Sequence, residues 1–189
     1  LAMPDTSTAQ GARDFAILNL FLFTAMRSVE INRANLSDWQ TIGTQQVIYY
    51  QGKGHSEADD YKVVVDPVAD AVQLWLSYRG NKPGPLFTSL SDRSQGERLS
   101  LRAIRNLIKD HMRKAGIDDP KKTTHSLRHT AITNAIVNGA PLRVVQTLAG
   151  HASANTTSIY IHNVDRLQNP GEKFIDYSNH NGNGEINPS

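Results

Sequence analysis

The apolar stretch from Ala12 to Met26 is the strongest constraint on what this chain can fold into. Phe15, Ala16, Leu18, Leu20, Phe21, Leu22 and Phe23 fall within it, with few polar interruptions. The pattern predicts a largely buried helix. It is too short and too interrupted to cross a membrane. A buried helix needs neighbours around it, and a chain of 189 residues can supply them within one compact domain. A short helical segment is expected to follow at Ser28–Ala34.

The pattern then changes period. Gln45–Tyr50 and Tyr61–Val65 are β-branched and aromatic and flank a Gly-rich polar turn, which predicts a hairpin. A shorter strand near Leu36–Thr41 would complete a three-stranded antiparallel sheet. Asp66-Pro67 ends the hairpin and opens a helix, with Asp66 as N-cap and Pro67 at the first position. Val68, Val72, Trp75 and Leu76 give that helix one apolar face. Residues 80–96, with Pro83, Pro85 and a Ser/Asp cluster, read as a loop broken by Leu86-Phe87. Ser100 can cap a helix through Ala115, with Gly116 just past its end. Further helices are expected from Ser126 to Gly139, from Pro141 to Gly150, and from Ser153 through Tyr160. Residues 178–189 are Asn- and Gly-rich and are expected to be disordered. The expected fold class is α+β, mainly α-helical with one small three-stranded antiparallel sheet.

Composition narrows the chemistry. There is no cysteine, which removes disulfides, iron–sulfur clusters, Cys-ligated zinc and thiol catalysis. Lys and Arg number 20 against 18 Asp and Glu, a formal net charge of +2. A nucleic-acid role must therefore be argued from where the charges sit. Arg102, Arg105, Lys109, Arg113, Lys114, Lys121, Lys122 and Arg128 crowd residues 101–128, opposed only by Asp110, Asp118 and Asp119. Taken alone, this is a solvated helix face.

Other residues also say little one at a time. His125 and Arg128, at i and i+3, project from one helix face. His151 follows Gly150 as a capping residue would. Tyr160, between Ile159 and Ile161, suits core packing. Arg27 comes directly after the buried helix, where it needs an anion or a carbonyl partner, and Glu30 is near enough to be that partner. Lys53 sits between Gly52 and Gly54 in a turn. Their order and spacing say more. FTAMRSVEI, YYQGKGHSEADDYKVVVD and HSLRHTAITNAIVNGAPLRVVQTLAGHASANTTSIYIH resemble the first-arginine box, the lysine hairpin and the C-terminal box of the tyrosine recombinase (phage integrase) family. The resemblance covers roughly residues 10–165. Ala25-Met26 stands where Gly-Leu is commoner in that family, and Ala149 where Leu is usual.

The resemblance implies the catalytic domain of a site-specific recombinase. Its tyrosine, here Tyr160, attacks a DNA phosphodiester and leaves a 3′-phosphotyrosyl link and a free 5′-hydroxyl. Attack by the 5′-hydroxyl of another duplex reverses the step and exchanges strands. The residue types suit this chemistry. A phenol of pKa ≈ 10 is about 0.1% ionised at pH 7, so reaching the phenolate costs roughly 4 kcal/mol. His125 is the expected base or proton relay. Arg27 and Arg128 are the expected clamp on the non-bridging oxygens, each a planar fork of donors that stays charged. His151 would add a donor there, and Lys53 would protonate the leaving oxygen. Glu30 is expected to buttress Arg27, and His129 to support the site. Arg102, Arg105, Lys109, Lys121 and Lys122 are the expected DNA contacts. Bond number and type are conserved, so no cofactor and no metal is expected. A zinc site built from His125, His129 and either His151 or His162 would lack the glutamate of HExxH.

On this reading residues 1–7 end an interdomain linker and residues 8–177 form the catalytic domain of a longer enzyme. That enzyme is expected to be cytoplasmic, bacterial or phage-encoded, and to act as a homo-tetramer on double-stranded DNA. The domain alone is expected to be a monomer. Phe174 and Ile175 are candidates for contact with a neighbouring copy, and Tyr177 is expected to pack the tail. Two alternatives stay open. A type IB topoisomerase resembles the same catalytic set and would relax supercoils as a monomer. A non-catalytic helix-turn-helix regulator would use residues 127–150, but it leaves Arg27, Lys53 and Tyr160 without a role.

Overall fold

The computed structural model describes residues 3–52, 57–150, 154–168 and 170–175. The buried helix near the N-terminus is α1, Ala9–Thr24. Ala12, Ala16, Ile17, Leu20 and Phe21 lose all exposure, and α1 packs against two later helices. Its start is set by Thr8, whose hydroxyl accepts the Gly11 N–H at 3.0 Å. Glycine is required there, because a Cβ would lie 1.8 Å from the Asp5 carbonyl oxygen. Its end is Ala25, a non-glycine residue in the left-handed region at φ 52°. That conformation costs about 1 kcal/mol and turns the chain sharply toward Arg27. A second helix, α2, spans Ser28–Arg33.

The sheet is antiparallel with order β1-β2-β3, made of β1 (Trp39–Ile42), β2 (Gln45–Tyr50) and β3 (Asp60–Val63). Trp39 lies opposite Ile48, and Tyr49 opposite Tyr61. The first strand starts later than the sequence suggests, because Leu36–Asp38 form a 3-10 turn. The Asp38 carboxylate accepts the Asn35 N–H at 2.8 Å, a local bond that competes with strand pairing. The third strand stops two residues short of the expected Val65. One face of the hairpin, with Ile48, Tyr50, Lys62 and Val64, is buried, while Tyr61, Val63 and Val65 face outward.

Helix α3 (Asp66–Arg79) runs along α1. Asp66 is its first residue rather than its cap; Val65 takes the cap position and Pro67 sits in the first turn. Trp75 Nε1 donates to the Leu86 carbonyl at 2.8 Å and so ties α3 to the loop that follows. Helix α4 (Leu101–Lys114) is capped by Ser100 as expected, the hydroxyl accepting the Ala103 N–H at 3.1 Å. Helix α5 (Thr124–Val137) starts two residues before the expected Ser126. Thr123 is its cap, and the Ser126 hydroxyl accepts the Thr123 N–H at 3.1 Å from inside the helix. Helix α6 (Leu142–Ala149) lies between Pro141 and Gly150 as expected, and α7 (Ala154–Gln168) carries Tyr160.

Apolar packing falls into two clusters. The large one joins α1, α3, α4 and the sheet through residues such as Ile17, Phe21, Ile48, Trp75, Ile104 and Ile108. The small one consists of Ala25, Ala131, Ile132, Val145 and Ala149, with Tyr160 packed against it. Among the described residues no helix is long and apolar enough to cross a membrane. Lys53, His151, Tyr177 and the segment 178–189 lie outside the described residues.

Candidate active site

The left-handed turn at Ala25 delivers Arg27 to the start of α2. Glu30, buried at 2% exposure, accepts the Arg27 backbone N–H at 2.6 Å and the Arg27 Nη1 at 2.7 Å. The local ion pair that could account for Arg27 is therefore formed, yet a third of the Arg27 side chain stays open. Its Nη2 also meets the Gly150 carbonyl at 3.4 Å.

Arg128, on α5, is 4% exposed. Nη1 donates to the Ala25 carbonyl and Nη2 to the Ala149 carbonyl, so one guanidinium joins the end of α1 to the end of α6. Burial lowers its pKa, and Arg27 adds to the effect. A guanidinium starts so high that it stays charged. A cleft of about 800 Å³ opens between α2, α4 and α5, and Arg27, Arg105, Lys109, Thr123, His125 and Arg128 are among its lining residues. Three expected catalytic residues and two expected DNA contacts thus share one cleft. Lys109 is less free than the sequence suggests, because Nζ donates to the Asp119 and Pro120 carbonyls at 3.0 and 2.9 Å. Arg102 and Lys121 are exposed outside the cleft, and Lys122 lines a separate groove beside Leu22 and Met112.

The Tyr160 hydroxyl lies 2.6 Å from His129 Nδ1 and 3.3 Å from Nε2. The two rings stack with centroids 5.1 Å apart, and His125 meets the edge of His129 at 4.3 Å. His129 touches the tyrosine, and His125 lines the cleft. Burial lowers the His129 pKa, and His125 and Arg128 push it the same way. The imidazole is then neutral at pH 7 and can accept the phenol proton. Burial raises the Tyr160 pKa, with Arg128 opposing. The resting pair is a neutral phenol on a neutral imidazole.

One functional candidate has no counterpart in the sequence reading. Lys62 is 7% exposed, and Nζ donates to the Thr147 and Leu148 carbonyls, each at 2.9 Å. It lies 5.1 Å from the centre of the Tyr50 ring, whose hydroxyl donates to Asp60. Burial brings its pKa down to about 8. Nothing local marks it, because its partners lie 85 and 86 residues further along the chain. Among the described residues no group of three His, Asp or Glu is arranged to hold a metal ion. Phe174 and Ile175 are 84% and 59% exposed.

This constellation sits in a chain whose residues 1–166 match the model of the phage integrase family. Tyrosine recombinase XerC of Corynebacterium glutamicum is 35% identical over 162 residues, which is 83% of this chain and 49% of that protein. Tyrosine recombinase XerD of Pseudomonas putida is 33% identical over 172 residues, 86% of this chain and 53% of that one. Among solved structures, XerA recombinase superposes with a TM-score of 0.68 at 28% identity, covering 84% of this chain and 57% of its own. XerH recombinase bound to its palindromic difH substrate gives 0.68 at 25% identity, covering 89% and 46%. The chain belongs to the phage integrase family and has the fold of its catalytic domains. It spans about half the length of the curated relatives it matches.

Proposed function

We propose that this chain is the catalytic domain of a site-specific recombinase that cleaves one strand of duplex DNA through Tyr160. The observation that carries the reading is the cleft in which Arg27, His125 and Arg128 meet. A phosphodiester seated there faces two guanidiniums, which favour the charge that develops on its non-bridging oxygens. The Tyr160 oxygen bonds to phosphorus and the 5′ oxygen leaves. His129, already hydrogen-bonded to the phenol, takes its proton, and His125 faces the phosphate. Lys53 gives a proton to the leaving oxygen, and His151 adds a donor to the phosphate. One ester replaces another, so the step needs no cofactor, nucleotide or metal. In the longer protein four copies act on paired sites, with Phe174 and Ile175 against a neighbour. The chain alone is a monomer that holds duplex weakly and with strong salt dependence.

A pool of nicked duplexes of randomised sequence, labelled on the cleavable strand, tests this. The chain is incubated in excess, and covalent adducts are isolated on a denaturing gel and sequenced. The expected result is an adduct with a recurring sequence that Tyr160→Phe does not form. An adduct from Tyr160→Phe, or none from the wild-type chain, overturns the reading.

A further inference from the structure

Among the described residues Lys62 is the one buried lysine, and both of its hydrogen bonds go to the last turn of α6. The carbonyl after that pair, Ala149, is taken by Arg128, and the next, Gly150, by Arg27. Four consecutive carbonyls are therefore held by three cations from β3, α5 and the turn before α2. The end of a helix attracts cations through its dipole, but an exposed lysine would serve that purpose. Burying an ammonium is costly, so Lys62 calls for a reason beyond capping. We propose that Lys62 is a positioning residue for strand cleavage. By holding the Thr147 and Leu148 carbonyls it fixes the Ala149 carbonyl on which Arg128 is seated, and so the aim of the Arg128 guanidinium. This rests on the recombinase reading of the site.

The groups facing Lys62 come from every side. Glu30 of α2 and Asp60 of its own strand favour its charge; Arg128 of α5 and Arg27 oppose it. Tyr50 of β2 offers its ring face, and α6 offers carbonyls. Burial outweighs the favourable charges, and the pKa falls to about 8. An unfolded lysine keeps its proton to about pH 10.4. Between those values the unfolded chain binds the extra proton, so this group makes the fold more stable as pH rises. Over the same range the end of α6 loses its charged tether. Global stability and local order then move in opposite directions, which a packing role does not produce.

Amide hydrogen exchange on the 189-residue chain, corrected for intrinsic rates, reads this directly in wild type, Lys62→Met and Lys62→Arg. In wild type, protection of the last turn of α6 is expected to fall as pH passes about 8 while the thermal midpoint does not. Lys62→Met has low protection at every pH, and Lys62→Arg high protection at every pH. Flat wild-type protection, or wild-type protection in Lys62→Met, overturns the proposal. With the duplex recovered from the adduct selection, Lys62→Met slows adduct formation roughly tenfold to a hundredfold without weakening duplex binding, and Lys62→Arg restores the rate. Cleavage by Lys62→Met at the wild-type rate also overturns it. Absence of any wild-type adduct counts against the recombinase reading alone, and the exchange result then decides the role of Lys62.

Discussion

The two apolar clusters are built on different terms. The large cluster buries Trp75, Phe21, Phe87, Ile17 and Leu20 completely. Each such side chain contributes about 1.5–3 kcal/mol by leaving water. In the small cluster three of the five buried members are alanines, Ala25, Ala131 and Ala149, whose methyls contribute far less. What holds that side together is directional: Arg128 bonds to two carbonyls, Lys62 to two more, and Arg27 to a fifth. Small residues let the ends of α1 and α6 come close enough for one guanidinium to span them. Apolar burial gives the scaffold its stability, and cation–carbonyl bonds give the site its geometry.

The comparison can be broken at its strongest point first. Trp75→Ala leaves a cavity and an unpaired Leu86 carbonyl, with an expected cost of about 4 kcal/mol in denaturant unfolding; a cost below about 1 kcal/mol would show that the large cluster is not the scaffold. Arg128→Met comes next. Were the small cluster held by apolar contact, a methionine there would be neutral. The expected loss is instead about 3 kcal/mol, because the Ala25 and Ala149 carbonyls lose their buried partner, and adduct formation is lost with it. The smallest effect concerns His129, whose pKa is lowered in the fold. The unfolded imidazole, near 6.5, takes its proton first. The contribution of this group is therefore complete above that value and is lost as pH falls below it. Unfolding midpoints should decline as pH falls below about 6.5, less steeply in His129→Gln, and equal slopes would remove His129 from the account.

Much of this was legible in the sequence because the signals are local. Ser100 and Gly116 bracket α4, Pro141 and Gly150 bracket α6, and the change of period at Gln45 marks the sheet. Misreadings arose where a side chain bonded to nearby backbone. Asp38 turned the start of the expected first strand into a 3-10 turn, and Thr123 moved the start of α5. The site was legible in its residue types but not in its pairing. His125 and His129 share a helix face, and only the approach of α7 decides which one meets Tyr160. Lys62 was illegible for a deeper reason. Tyr61, Val63 and Val65 alternate with Lys62 and Val64, and the more apolar set would be placed inward. The structure does the reverse, because the partners that make Lys62 an interior residue lie on a helix distant in sequence.

Three cations, Arg27, Lys62 and Arg128, gather about the end of α6 with two carboxylates, Glu30 and Asp60, which leaves one positive charge in excess. A place like this resembles a salt missing one ion. A phosphodiester carries a single negative charge and would bring this group of five to neutrality. Arg27 and Arg128 repel one another beside the cleft they line, and a phosphodiester seated between them would relieve that repulsion. On the recombinase reading, the charge such a place lacks is the charge that one DNA phosphodiester carries.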